Sequence, residues 1–214
     1  MRPFALPPLC VLLAATLRST AASPPIASQD GFFFGNPSLD CEFVSQPRIY
    51  SLFSSLETDV SNLINHIAPD VDFTVVGHQP IAGHYHDLKH FYVNALYRVN
   101  NCLRLKYPEE YRIELQYITG GCDQKWSVQE MLFSGRANNG ENWSIINVWI
   151  TRWEHDKMVE IRTYVDAARV TDLLHDNEVW SNSTTHSDHT TFLPGPRGMP
   201  QTSALESLLA KIGY

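Results

Sequence analysis

Three histidines fall within seven residues in the stretch Gly83-His84-Tyr85-His86-Asp87-Leu88-Lys89-His90-Phe91. Imidazole is both a common metal ligand and the side chain best placed to move protons near neutral pH, so two chemistries are open to this stretch. A metal needs ligands that converge on one point. Asp87 is a typical helix N-cap followed by apolar positions at helical spacing, which puts His90 in a first helical turn beside Lys89. His84 and His86 precede that turn on an extended segment, where alternate side chains share one side. His90 therefore does not converge with them, and imidazoles without a convergent carboxylate are a weak donor set. The expectation is no metal cluster, with His86 alone at a pocket rim as a proton-transfer candidate.

The elements that must hold these residues follow from hydrophobic periodicity. Ile49, Leu52, Phe53, Leu56, Val60, Leu63, Ile64 and Ile67 recur at helical spacing and predict one helix ending near Ala68-Pro69. Val71 to Val76 alternates as a strand and stops at Gly77. Leu88, Phe91, Tyr92, Ala95, Leu96, Val99 and Leu103 form the apolar face of a second helix, with Pro108 past its exit. Four strands then follow, Arg112 to Thr119, Trp126 to Ala137, Trp143 to Trp153 and Met158 to Asp166. They are separated by Gly120-Gly121, Asn138-Asn139-Gly140 and Glu154-His155-Asp156-Lys157. Helices first and an antiparallel meander after them predict an α+β domain, closed by a short helix over Ala167 to Leu174.

The chain has 214 residues, 43% of them hydrophobic and 18% charged, enough for one domain with a core plus extensions. A net charge of −7 argues against nucleic acid or an anionic membrane surface as partner, since both require basic patches. Residues 1–22 read as a secretory signal: one early positive charge, the short apolar run ALPPLCVLLAATL, and the small residues Ser19 to Ala22. A secreted protein, with no membrane contact after cleavage, is therefore expected, and the Asn142-Trp143-Ser144 and Asn182-Ser183-Thr184 glycosylation sequons fit that reading. With Cys10 removed, Cys41, Cys102 and Cys122 permit at most one disulfide and leave one thiol. Residues 23–45 form a Ser-, Pro- and Gly-containing leader with an apolar knot at Phe32-Phe33-Phe34. Residues 179–214 form a polar tail carrying a short amphipathic helix around Ala204 to Ile212.

The run Ala68-Pro69-Asp70-Val71-Asp72-Phe73-Thr74-Val75, then Pro80-Ile81-Ala82-Gly83-His84-Tyr85, then a helix and a meander ending Glu160-Ile161-Arg162-Thr163-Tyr164-Val165-Asp166 resembles a known family. It is similar to the SnoaL-like group of the nuclear transport factor 2-like superfamily, over residues 46–178. The resemblance implies a cone in which a curved antiparallel sheet wraps over helices and encloses a cavity. It also implies a cyclase, isomerase or dehydratase that works by acid/base catalysis without metal or cofactor. The substrate would be a hydrophobic small molecule such as a polyketide or terpenoid intermediate. The alternative it leaves is a non-catalytic binding or dimerisation module of the same fold, since members of the family commonly pair as homodimers.

Asp166 matches the position at which cyclases of this family place a cavity-facing Asp. The same residue precedes Ala167-Ala168-Arg169-Val170, where Asp is also a common N-cap, and both readings stay open. Strand alternation puts Arg162, Tyr164 and Asp166 on one face and Asn147, Trp149 and Thr151 on one face of the neighbouring strand. A pocket of Trp149, Tyr164, Asn147 and Asp166, with Glu130 and Tyr85 as further contacts, would hold a carboxylate among apolar walls that raise its pKa toward neutrality. Tyr85-His86 resembles the Tyr and His used by the dehydratase of the family, whose full set is absent.

Overall fold

The computed structural model describes residues 26–27, 31–56, 58, 60–178 and 188–192. After a two-residue pairing of β1 (Ile26–Ala27) with β2 (Phe33–Phe34), the domain opens with α1 (Gln46–Phe53). The Ser45 hydroxyl caps it by accepting the Arg48 N–H, and Ile49, Leu52 and Phe53 point into the core. The single long helix expected from periodicity breaks here. The Ser54 and Ser55 hydroxyls donate back to the carbonyls of Tyr50 and Leu52, offering the chain a local alternative to another helical turn. A short α2 (Val60–Ile64) follows, and β3 (Ile67–Val76) begins four residues earlier than expected. Its register shifts between Ile67 and Asp72, an irregularity that accommodates Pro69, which has no N–H for a ladder.

After β4 (Gly83–Tyr85) comes the second helix, interrupted in the middle: α3 (Leu88–Phe91), a π-helical stretch over Tyr92–Leu96, then α4 (Tyr97–Arg104). Asp87 caps α3, accepting the His90 N–H at 2.8 Å on one oxygen and meeting His90 Nδ1 at 2.7 Å on the other. Burial works to raise the Asp87 pKa, but these bonds from His90 outweigh it and hold the carboxyl below its usual range.

The meander comprises β5 (Arg112–Gly120), β6 (Trp126–Arg136), β7 (Asn142–Glu154) and β8 (Lys157–Val165), and α5 (Ala167–Asn177) closes it. The β7–β8 turn uses His155 and Asp156 at φ 47° and 61°, the left-handed pair of a two-residue hairpin. At the β5–β6 turn Gly120 sits at φ +76°, and a Cβ there would lie 2.4 Å from the Trp126 carbonyl oxygen.

The seven-stranded sheet runs β5-β6-β7-β8-β3-β4-β9, with β9 (Asp188–His189) as an edge strand. It is curved and unclosed, and the α+β cone expected from the sequence is what forms. The sheet is mixed, however: β3–β8 and β4–β9 are parallel, and the other pairings are antiparallel. The cause is topological. The chain leaves the sheet after β4, crosses in the helices and re-enters at the far edge, so the last meander strand arrives beside β3 running in the same direction.

Three ties hold the layers together. The Cys41–Cys122 disulfide fastens the leader to the β5–β6 turn, while Cys102 stays free and buried. His189 is buried with its ring stacked on Tyr85 at 4.0 Å and Nε2 bonded to the Ala82 carbonyl, which seats β9 on the edge of the sheet. The third tie is ionic. Arg98 on α4 is fully buried and grips Glu178, just past α5, through Nε and Nη2 at 2.7 Å each. Its Nη1 donates to the carbonyls of Pro80 and Asn94. The signal segment and the amphipathic helix expected around Ala204 to Ile212 lie outside the described residues.

Removing one member of such a pair leaves an uncompensated buried charge. Arg98→Met should therefore destabilise by about 3–5 kcal/mol in urea denaturation, and the double change Arg98→Met/Glu178→Leu should recover most of that loss. A single variant as stable as wild type would contradict this role.

Candidate active site

The cone encloses a cavity of about 40 Å³ between the inner face of the sheet and the α3–α4 helix layer. β7 supplies most of its floor because its odd-numbered residues face inward: Trp143, Ile145, Asn147 and Trp149 line the cavity. Directly across the β7–β8 ladder, Thr163 pairs with Trp149 and Val165 with Asn147. Phe91 from α3, with Ala95 and Leu96 from the π-helical stretch, forms the opposite wall. Trp149 is held edge-on against Phe73 and Phe53, with ring centroids 5.4 and 5.8 Å away, while Phe73 stacks on Phe91 at 3.6 Å. The void holds one or two water molecules, whereas sites for small organic ligands are roughly 300–1,000 Å³, so a substrate enters only if the walls part.

Among the described residues no ionisable side chain lines this cavity; its polar groups belong to Asn147, Thr163, Trp143 and Trp149. The Thr163 hydroxyl donates to Asn147 Oδ1 at 2.5 Å. The Trp149 side chain is buried, yet its indole N–H has no partner among the described residues. Its neighbours on the same face differ: the Trp143 N–H donates to the Arg169 carbonyl at 3.0 Å and the Trp153 N–H to Ser127 Oγ at 2.7 Å. An unsatisfied buried donor costs about 1–3 kcal/mol. Further along the inner face, Ser127, Gln129 and Thr151 bond to one another and are satisfied within the fold.

The structure brings two of the expected site residues, Asn147 and Trp149, to the cavity and leaves the others elsewhere. Tyr164 and Glu130 lie on the outer face of the sheet, in the cross-strand row Glu130–Val148–Tyr164, and Tyr164 is 44% exposed. The expected grouping of Trp149 with Tyr164 joins residues from opposite faces; the register pairs Trp149 with Thr163, and a slip of one residue exchanges the faces. Asp166 is exposed and caps α5, its Oδ1 accepting the Arg169 N–H at 3.1 Å. Tyr85 is fully buried in the core rather than at the cavity, its hydroxyl donating to the Ile81 carbonyl at 2.7 Å. Burial pushes its phenol pKa well up, only partly offset by the Arg98 charge, so it remains a neutral donor.

His86 is exposed on the outer face beside β9, Nε2 lying 2.5 Å from Asp188. The sheet register sets it level with Asp72 and Glu160, six residues of strand or roughly 20 Å from Asp166, so the two expected catalytic groups do not meet. His84 faces the same way, 2.7 Å from Asp72. The carboxylate that local sequence did not reveal therefore exists: His84, His86 and Asp188 set ligand atoms within 4.8 Å of one another, a group of a kind able to hold a cation. Each imidazole already has a carboxylate partner, and the trio is separate from the cavity lining.

The cavity residues that sequence reasoning missed include Thr163, Phe91, Trp143 and Val165. The signal was the alternation of β8 read from its other face, where Ile161, Thr163 and Val165 are the smaller residues. The one free thiol among the described residues, Cys102, is unsuited to nucleophilic chemistry: burial, reinforced by the Glu178 charge, pushes its pKa well up.

An exposed cap has a simple mutational signature. Asp166→Ala should cost about 1 kcal/mol in thermal denaturation and Asp166→Asn almost nothing, with product formation near wild type in the Asn variant. A fall in turnover on the order of 10²-fold in the Asn variant at unchanged stability would instead make Asp166 an acid/base.

No family model matches the chain. Two curated proteins do. It is 38% identical over 205 residues to the dimerizing cyclase phiC of Fungal sp. (strain ATCC 74256), covering 90% of this chain and 89% of that protein. It is 42% identical over 170 residues to the dimerizing cyclase tstC of Talaromyces stipitatus, covering 79% of this chain and 74% of that protein. Among solved structures, an NTF2-like protein of Burkholderia thailandensis aligns at 18% identity and a TM-score of 0.46, over 59% of this chain and 95% of that one. A hypothetical protein of Catenulispora acidiphila with a ketosteroid isomerase-like fold aligns at 10% identity and a TM-score of 0.44, over 59% and 91%. With the identity to phiC and tstC running through most of each chain, this α+β cone belongs to the dimerizing cyclase family, a family of enzymes.

Proposed function

We propose that the protein is a cofactor-independent cyclase that joins two molecules of a hydrophobic, polyketide-type intermediate inside the cone. The observation that carries this reading is the lining of the cavity among the described residues: aromatic and aliphatic walls, one Asn–Thr pair, one unpartnered indole N–H and no ionisable group. Such a chamber favours reaction by holding two reactants in contact and excluding water. The names of the two relatives support the joining of two substrate molecules as the reaction. The wall that yields to admit substrate is, on this reading, the stretch carrying Ala95 and Leu96, because a π-helical segment is a weaker and commonly functional part of a helix. A second copy of the chain would pair through the outer sheet face, where Tyr117, Ile146 and Tyr164 are exposed. The Cys41–Cys122 bridge supports passage through an oxidising compartment.

That no described residue gives the lining an ionisable group favours a second reading, a small-molecule-binding protein of the same fold without turnover. Kinetics with the substrate accepted by tstC and phiC separates the two. The cyclase reading expects a product with the carbon skeleton of two substrate molecules, formed at an initial rate that rises with the square of substrate concentration below saturation and is insensitive to chelators. Quenching of tryptophan fluorescence by that substrate with no product, from a preparation in which tstC itself turns over, would establish the binding protein instead.

A further inference from the structure

We infer that the Trp149 indole N–H and the Asn147 side-chain amide form a two-donor cradle for one oxygen atom of the substrate, which identifies the substrate as an apolar molecule bearing a carbonyl group. The inference rests on the cavity being the reaction site, as proposed above. Asn147 and Trp149 are two residues apart on the inner face of β7 and both line the cavity. Thr163 lies directly opposite Trp149 and donates to Asn147 Oδ1, which occupies the acceptor end of the amide and leaves its NH₂ end to donate. The Trp149 N–H is the second donor, buried and without a partner among the described residues, although Trp143 and Trp153 on the same strand face both have theirs. Two donors in an otherwise apolar chamber call for an acceptor. A carbonyl oxygen supplies one, and any negative charge that gathers on it during bond formation is stabilised most where water is excluded. Thr163 acts here as a positioning residue.

Indole N–H resonances report the first donor directly. The chain has five tryptophans, and the signal lost in Trp149→Phe assigns the one that matters. Full-length ¹⁵N-labelled protein is titrated with 2-cyclohexenone and, separately, with methylenecyclohexane, a hydrocarbon of nearly the same shape. The ketone should move the Trp149 N–H signal downfield and bind about tenfold more weakly to Trp149→Phe and to Asn147→Leu, whereas the hydrocarbon should bind all three proteins alike. Thr163→Val should weaken the ketone and spare the hydrocarbon. The inference is overturned if ketone and hydrocarbon behave identically, if neither folded variant changes ketone affinity, or if neither probe enters the wild-type cavity. Ketone discrimination without any dimeric product would sink the cyclase reading and leave the cradle standing; dimeric product from both variants at the wild-type rate would do the reverse.

Discussion

A charged pair inside the core sets the geometry on which the site depends. Arg98 and Glu178 are both withdrawn from water, so each must keep the other, and the five N–H donors of the guanidinium must be used. Four of them are used on acceptors from separate parts of the chain: two carboxylate oxygens beyond α5, the Pro80 carbonyl before β4 and the Asn94 carbonyl in the π-helical stretch. An apolar residue at position 98 would pack as well and bond to none of these. The pair thus fixes where the helix layer lies over the sheet, and with it the height of the chamber between Phe91 and Trp149. Beside it, His189 on Tyr85 and Phe192 on His90 hold the tail segment against the start of the same helix layer.

Within that frame the proposed chemistry is one of exclusion and polarisation. Asp87 and Asp166 cap helices, Glu178 is neutralised by Arg98, the thiol of Cys102 is kept neutral by burial, and the imidazoles of His84 and His86 are engaged outside the cone. What remains inside is hydrocarbon surface, which two apolar reactants prefer to water, and a small set of amide, indole and hydroxyl groups able to orient an oxygen. On the proposed reading, bringing two molecules together is itself a large part of the barrier to joining them, so a chamber with few polar groups would suffice for much of the work.

How far the sequence foretold this depends on the length of the local signal. β7 is thirteen residues of sustained alternation, and Asn147 and Trp149 were placed together on one face from that pattern alone. β8 is shorter and carries both a plausible polar face and a plausible apolar one. The family resemblance of Asp166 points to the face shared with Tyr164, whereas register with β7 selects Thr163. The helix break after Phe53 depends on serine hydroxyls competing with the backbone, and periodicity does not register that competition. Arg98 falls in a run that reads as helix surface, where arginine usually meets water; only Glu178, eighty residues away, turns it inward. Asp188 likewise meets His86 across more than a hundred residues, a convergence without any local trace.

The central claim is that reaction takes place inside the cone, and a crystal structure of the protein bound to the dimeric product of its relatives tests it most directly. Product density is expected between Trp149 and Phe91, with the Ala95–Leu96 wall displaced outward and a product oxygen within hydrogen-bond distance of the Trp149 N–H. Product seated on the outer face of the sheet, beside His86 or Asp166, with the cavity unchanged, would contradict it.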